Sequence, residues 1–147
     1  MDWGGTVYTG YYALNQQGDV IAILNDSGAA VVRYSYNGWG YETGHTTSTV
    51  TGLRLYQYNC LKYRGYYHDT ETGFYYVSSR YYDPVIGRFI NADEVDYLGA
   101  DGELLSYNLY AYCMNNPINR TDENGNWSVL ATVGVVVGAS LCIAAVH

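Results

Sequence analysis

The sequence predicts a mainly β fold: Tyr-rich antiparallel hairpins, a short helix and a C-terminal apolar tail read as helical. Three observations predict it. Tyr occurs 19 times among 147 residues, and Tyr suits the pleated, half-buried surface of a strand. Turn chemistry built on Asn, Asp and Gly recurs between β-branched and aromatic runs. Finally, residues 129–146 carry no charge at all, which sets the tail apart from the rest.

Asp19-Val20-Ile21-Ala22-Ile23-Leu24 is the first clear strand. Asn25-Asp26-Ser27-Gly28 supplies the turn, because Asx side chains bond their own backbone and Gly accepts positive φ. A second strand over residues 29–36 completes a hairpin, which Asn37-Gly38-Trp39-Gly40 ends. Residues 41–51 are polar and rich in Thr and Gly, and read as a solvated loop. From Leu53 to Cys60 two residue sets alternate, which predicts a strand with Leu53, Leu55, Gln57 and Asn59 on one face.

An internal repeat follows. Arg64-Gly65-Tyr66-Tyr67-His68-Asp69 leads to Gly73 and Phe74, and Arg80-Tyr81-Tyr82-Asp83 leads to Gly87 and Phe89. Asp69 to Gly73 and Asp83 to Gly87 have the same spacing. Each Asp-x-x-x-Gly is a strand-to-strand turn, with Asp capping the backbone and Gly taking the conformation other residues resist. Paired Tyr on the flanking strands gives each face a ring, and stacked hairpins build Tyr ladders. Such a unit cannot bury its own face alone and belongs to a larger array. Residues 106–114 read as a short helix capped by Ser106 and stopped before Pro117, although their Tyr content would suit a strand as well.

The length allows one domain, or one domain and a tail. A hydrophobic content of 48% excludes a disordered chain. With 14 acidic residues against 7 basic and a net charge of −7, the chain lacks the basic footprint of a nucleic-acid binder. Cys60, Cys113 and Cys142 show no CxxC spacing, and His45, His68 and His147 no ligand spacing, so no metal and no cofactor is expected. Three small thiols are the plain reading; a Cys60–Cys113 disulfide is the alternative in an exported chain. Met1-Asp2-Trp3-Gly4-Gly5 has neither the basic start nor the apolar run of a signal peptide.

The apolar run of 18 residues, 129–146, would span ~27 Å as a helix, just short of a ~30 Å hydrocarbon core. Gly134 and Gly138 form a GxxxG pair that lets two helices approach closely. Membrane insertion is one reading; a buried helix or strand is the other. A stop at His147, with no flanking charge, reads as the end of a truncated product.

Several motifs together resemble a known family. Leu61-Lys62-Tyr63-Arg64-Gly65-Tyr66-Tyr67-His68-Asp69, Ser79-Arg80-Tyr81-Tyr82-Asp83-Pro84 with Gly87-Arg88-Phe89-Ile90, and Asn108-Leu109-Tyr110-Ala111-Tyr112 with Asn115-Asn116-Pro117 resemble the RHS repeat-associated core domain. The hairpin of residues 18–40 resembles the YD-repeat unit that precedes that core. The likeness covers residues 11–126, with a gap over the Thr-rich loop. It implies four segments: a YD-repeat-like hairpin at 1–42, a polar loop and leading strand at 43–58, the core at 59–126, and a variable apolar tail at 127–147.

The resemblance implies long β-strands wound into a hollow shell that encloses a toxic C-terminal polypeptide. The expected partners are the rest of that shell, the enclosed toxin segment and an immunity protein, with membrane contact through 129–146 and no nucleic acid. The expected location is secreted, or on a bacterial cell surface. In many members the core is an aspartyl autoprotease that releases the tail, using a Gly-Arg-Phe stretch and two Asp-Pro-x-Gly segments. Gly87-Arg88-Phe89 matches the first in full. Asp93 matches its segment at Asp alone, with Glu94 and Asp96 in place of Pro and Gly. Asp122-Glu123-Asn124-Gly125 matches at Asp and Gly. Asn126 stands where a Leu often precedes the cut.

The chemistry of these residues is coherent. Two carboxylates sharing a site cannot both ionise cheaply, so one pKa rises. One then serves as general base and the other as general acid. The Arg88 guanidinium would stabilise an oxyanion or hold one Asp ionised. Asp93, Asp122 and Arg88 are therefore the candidate catalytic residues. The plain alternative makes Asp93 and Asp122 turn caps. Three functions follow: a structural, encapsulating core of a toxin-delivery protein; a self-cleaving protease releasing the segment after about residue 126; and a surface module whose Tyr rows meet carbohydrate or protein.

Overall fold

The computed structural model describes residues 9–93 and 107–126, together with the backbone of three short strands outside them, Asp2–Trp3 (β1), Thr6–Val7 (β2) and Val129–Leu130 (β12). The chain forms two compact units. Antiparallel β structure dominates both.

The first unit comprises described residues 9–37 and 42–65. Its sheet runs β3 (Tyr11–Leu14), β4 (Val20–Leu24), β5 (Ala30–Tyr36) and β6 (Glu42–Thr47), in that order and all antiparallel. The β4–β5 turn forms as the sequence predicts. Asn25 Oδ1 accepts from Ser27 N at 3.1 Å and Ala29 N at 2.9 Å, and Gly28 takes φ +79°. Buried Tyr12, Val20, Ile23, Val31, Val32 and Tyr34 make the core.

Two expectations fail in this unit. Residues 42–47 are not loop but the outer strand β6, paired with β5 along its length. Three of its six residues are Thr, whose β-branched side chain fits a strand whatever its polarity, and the strand is exposed over residues 43–46. The strand expected from Leu53 is instead the helix α1, Val50–Tyr58. Thr49 caps it, its hydroxyl accepting from Gly52 N at 2.9 Å. Helical spacing buries Gly52, Leu55 and Asn59, and leaves Leu53 exposed. A Cβ on Gly52 would stand 2.2 Å from the Val31 carbonyl, so glycine lets the helix lie directly on β5.

The second unit comprises described residues 38–41, 66–93 and 107–126, with the β12 backbone. Its sheet is β7 (Tyr67–His68), β8 (Tyr75–Val77), β9 (Arg80–Asp83) and β10 (Arg88–Phe89), in hairpin order. Both repeat turns form as read. Gly73 N donates to Asp69 O at 2.8 Å and Gly87 N to Asp83 O at 2.9 Å, with φ of +77° and +68° at the two glycines. The Asp side chains cap Glu71 N at 2.9 Å and Val85 N at 2.8 Å. The Tyr ladder alternates faces. Tyr75 pairs with Tyr82 and Tyr82 with Phe89 on the buried face, and Tyr67 with Tyr76 and Tyr76 with Tyr81 on the exposed one.

The helix expected at 106–114 is absent from its described part. Ala111 bridges Arg88, and Phe89 N donates to Tyr110 O at 3.0 Å. Cys113–Asn115 then make one 3-10 turn with φ of +49°, +51° and +58°. Burial of Tyr112 and Cys113, each at most 1% exposed, holds this left-handed turn, which otherwise costs ~1–2 kcal/mol per residue. β11 (Arg120–Thr121) pairs with β12, where the sequence reading began a helical tail. The remainder of that tail lies outside the described residues. Among the described residues no helix is long and apolar enough to cross a membrane. Cys60 and Cys113 each keep a thiol, so the disulfide alternative does not form; Cys142 lies outside the described residues.

Candidate active site

The structure brings Asp93 and Asp122 to one guanidinium, and it belongs to Arg80. Alternation along β9 sends Arg80 and Tyr82 to the buried face and Tyr81 to the other. Arg80 is 5% exposed and lies over the Phe89 ring, 3.6 Å from its centroid. Its Nη2 stands 3.0 Å from Asp93 Oδ2 and 3.8 Å from Asp122 Oδ2. Its Nη1 donates to Leu109 O at 2.8 Å and its Nε to the Gly125 carbonyl. Arg88 lies elsewhere: it sits on β10 opposite Asp83, with its side chain exposed.

Each carboxylate is held by local chain geometry. Asp93 follows the β10 exit, where its N–H donates to Leu109 O at 3.0 Å, and its side chain is 8% exposed. Asp122 follows β11 and is 2% exposed. Its Oδ1 accepts from Gly125 N at 2.8 Å, which closes the 122–125 turn, and Gly125 takes φ +79°. A Cβ on Gly125 would meet the Val77 carbonyl at 2.2 Å and Ser79 Oγ at 2.5 Å, so glycine is required there. The β8–β9 turn straps this loop: Ser78 Oγ donates to Glu123 O at 3.1 Å and Ser79 Oγ to Asn124 O at 2.9 Å. Tyr66 OH donates to the Asp122 carbonyl from the other side.

The electrostatics separate the two acids. Burial pushes the Asp122 pKa up to about 6, and the nearby Asp93 charge adds to that, while the Gly125 N–H and Arg80 pull against it. Burial also holds the Arg80 pKa below its ordinary value, against the two carboxylates. A buried acid that is part protonated near neutral pH, a second carboxylate, and a cation on a main-chain carbonyl are the parts a peptide-bond cleavage needs.

A second polar cluster lies in the first unit. Buried Lys62 reaches Glu42 at 2.7 Å and stands over the Tyr34 and Tyr56 rings. Burial pushes the Glu42 pKa up, but Lys62, Tyr56 and His45 more than offset this and leave it below the ordinary carboxylate range. Sequence reading missed both Arg80 as the shared cation and Lys62. Arg80 sits two residues from Tyr82 in a strand, and that spacing alone places a charge on the aromatic, buried face.

No family model matches the chain. It is 40% identical over 117 residues to the tRNA3(Ser)-specific nuclease WapA of Bacillus spizizenii, a match that covers 80% of this chain and 5% of that protein. It is 33% identical over 103 residues to the double-stranded DNA deaminase toxin A of Burkholderia cenocepacia, covering 70% of this chain and 6% of the other. In fold it is similar to the crystal structure of TcdB2-TccC3-Cdc42, with a TM-score of 0.68 and 29% identity over 80% of this chain and 5% of that one. The chain thus spans about 5% of the length of the first curated relatives it matches. Motif order, ladder fold and relatives agree: this chain belongs to the RHS/YD-repeat polymorphic toxin family.

Proposed function

We propose that this chain is a structural, encapsulating core within a toxin-delivery protein, with residues 59–126 as the core proper and residues 1–42 as a preceding repeat hairpin. Its partners would be the rest of the shell and a toxin segment. The observation that carries this reading is the set of strands at the sheet margins. Among the described residues the four-stranded sheets are bounded by β3 and β6 in one unit and by β7 in the other, where Tyr110 and Ala111 meet the far strand β10. Tyr67, Tyr76 and Tyr81 form an exposed row across the second. Open edges and exposed aromatic rows are surfaces made to be covered. Sedimentation of the expressed chain tests this: self-association that grows with concentration is expected, and a monodisperse, cooperatively unfolding monomer would overturn it.

A second reading, self-cleavage, is favoured by a specific observation: one buried guanidinium touches Asp93, Asp122 and the Gly125 carbonyl. In this reading Asp93 accepts the proton of the attacking nucleophile. Asp122, part protonated, supplies a proton to the leaving nitrogen, and Arg80 holds the loop that carries the bond. The intact mass of the full chain beside its Asp122→Asn variant is the test. A wild-type product ending between Gly125 and Trp127, with the variant whole, is expected; two whole chains would remove this reading.

A further inference from the structure

The side chain of Asn126 is built into the acid pair. The amide orientation that gives each of its atoms a partner sets Nδ2 3.3 Å from Asp93 Oδ1, 2.9 Å from Gly125 O and 2.8 Å from Ser79 Oγ. An amide N–H aimed at a carboxylate is the arrangement that raises the nucleophilicity of that nitrogen, since the carboxylate can take its proton. Within Asn126 itself, Nδ2 and the main-chain carbonyl carbon are four bonds apart, so an attack closes a five-membered ring. Asn126 itself is half-buried, beside Arg80 at 5% and Asp122 at 2% exposure. A nucleophile delivered by the chain carries an effective concentration that a water molecule entering such a site lacks.

We propose that the self-cleavage inferred above proceeds by cyclisation of Asn126, with the Asn126–Trp127 peptide bond as the one broken. This rests on the self-cleavage reading and specifies its nucleophile. Nδ2 bonds to the Asn126 carbonyl carbon, and its proton passes to Asp93. The tetrahedral centre collapses, the bond to the Trp127 nitrogen breaks, and that nitrogen takes the Asp122 proton. The upstream product ends in a cyclic imide that keeps one N–H, the downstream product begins with a free amine, and no water is consumed. The proton has moved from Asp122 to Asp93, so the pair ends in the complementary state. Asp93 and Asn126 are the catalytic residues of this step. Ser79 is a positioning residue that holds the Asn126 amide through its hydroxyl.

The test is mass spectrometry of the full chain at early times, with and without hydroxylamine, which opens a cyclic imide to a hydroxamate. The expected upstream product is lighter by one water than the corresponding free acid, and hydroxylamine converts it to the hydroxamate. Asn126→Ala is expected to slow cleavage at least tenfold while leaving the circular dichroism melt near that of wild type. A product that is a free acid from the outset, with no hydroxamate, would overturn cyclisation and leave self-cleavage standing. So would an Asn126→Ala chain cut at the wild-type rate. A wild-type chain that stays whole would overturn both.

Discussion

Asp122 shows how one buried side chain sets a pH response. Its folded pKa, pushed up to about 6 mainly by burial, lies above the value near 4 of an unfolded Asp. The folded state therefore favours the protonated form. The stabilisation that this proton gives is fully present below about pH 4 and is lost as the pH rises through about 6. Wild type is expected to gain up to about 3 kcal/mol relative to Asp122→Asn as the pH falls from about 7 to about 4. Paired thermal melts across that range check this, and a difference that is flat or runs the other way would contradict the burial assigned to Asp122. At this scale the sequence was partly legible. Asp93 and Asp122 stand out by resemblance, and the structure does bring them together. The shared cation was misplaced because Arg88 and Arg80 look alike in a motif. What separates them is facing: Arg80 shares the buried face with Tyr82, and Arg88 is exposed.

The elements were legible where the turn chemistry is self-contained. Asn25 to Gly28, Asp69 to Gly73 and Asp83 to Gly87 each close through their own side chains and glycine, so local sequence suffices. The reading fails where tertiary packing decides. Residues 53–60 satisfy an alternating pattern and a helical one alike, and it is the contact of Gly52 with the Val31 carbonyl, together with the Thr49 cap, that selects the helix. Cys113–Asn115 has no local signature for a left-handed turn, because buried neighbours rather than propensity hold it. The Gly52 contact gives a test of sign. In an open helix Gly→Ala stabilises by about 1 kcal/mol. Here the added methyl would sit 2.2 Å from Val31 O, so Gly52→Ala is expected to destabilise by about 1–3 kcal/mol, as overpacking does. Urea unfolding measures the difference, and a stabilised variant would mean the helix does not press on β5.

For the whole molecule, composition spoke clearly: Tyr content and repeat spacing predicted a β array, and the sheets follow it. With a net charge of −7, copies repel one another at low ionic strength while their uncharged Tyr rows and open strand edges attract. Salt screens the first and spares the second. The self-association expected of the chain should therefore strengthen between low and moderate salt, and sedimentation at the two conditions would show it. Each unit also contains one thiol within the described residues, Cys60 half-buried in the first and Cys113 1% exposed in the second. The second is thus an alkylation clock for its own unit. In a Cys60→Ser, Cys142→Ser background, the rate at which Cys113 is modified would time the opening of that unit, with no fluorophore or engineered label required.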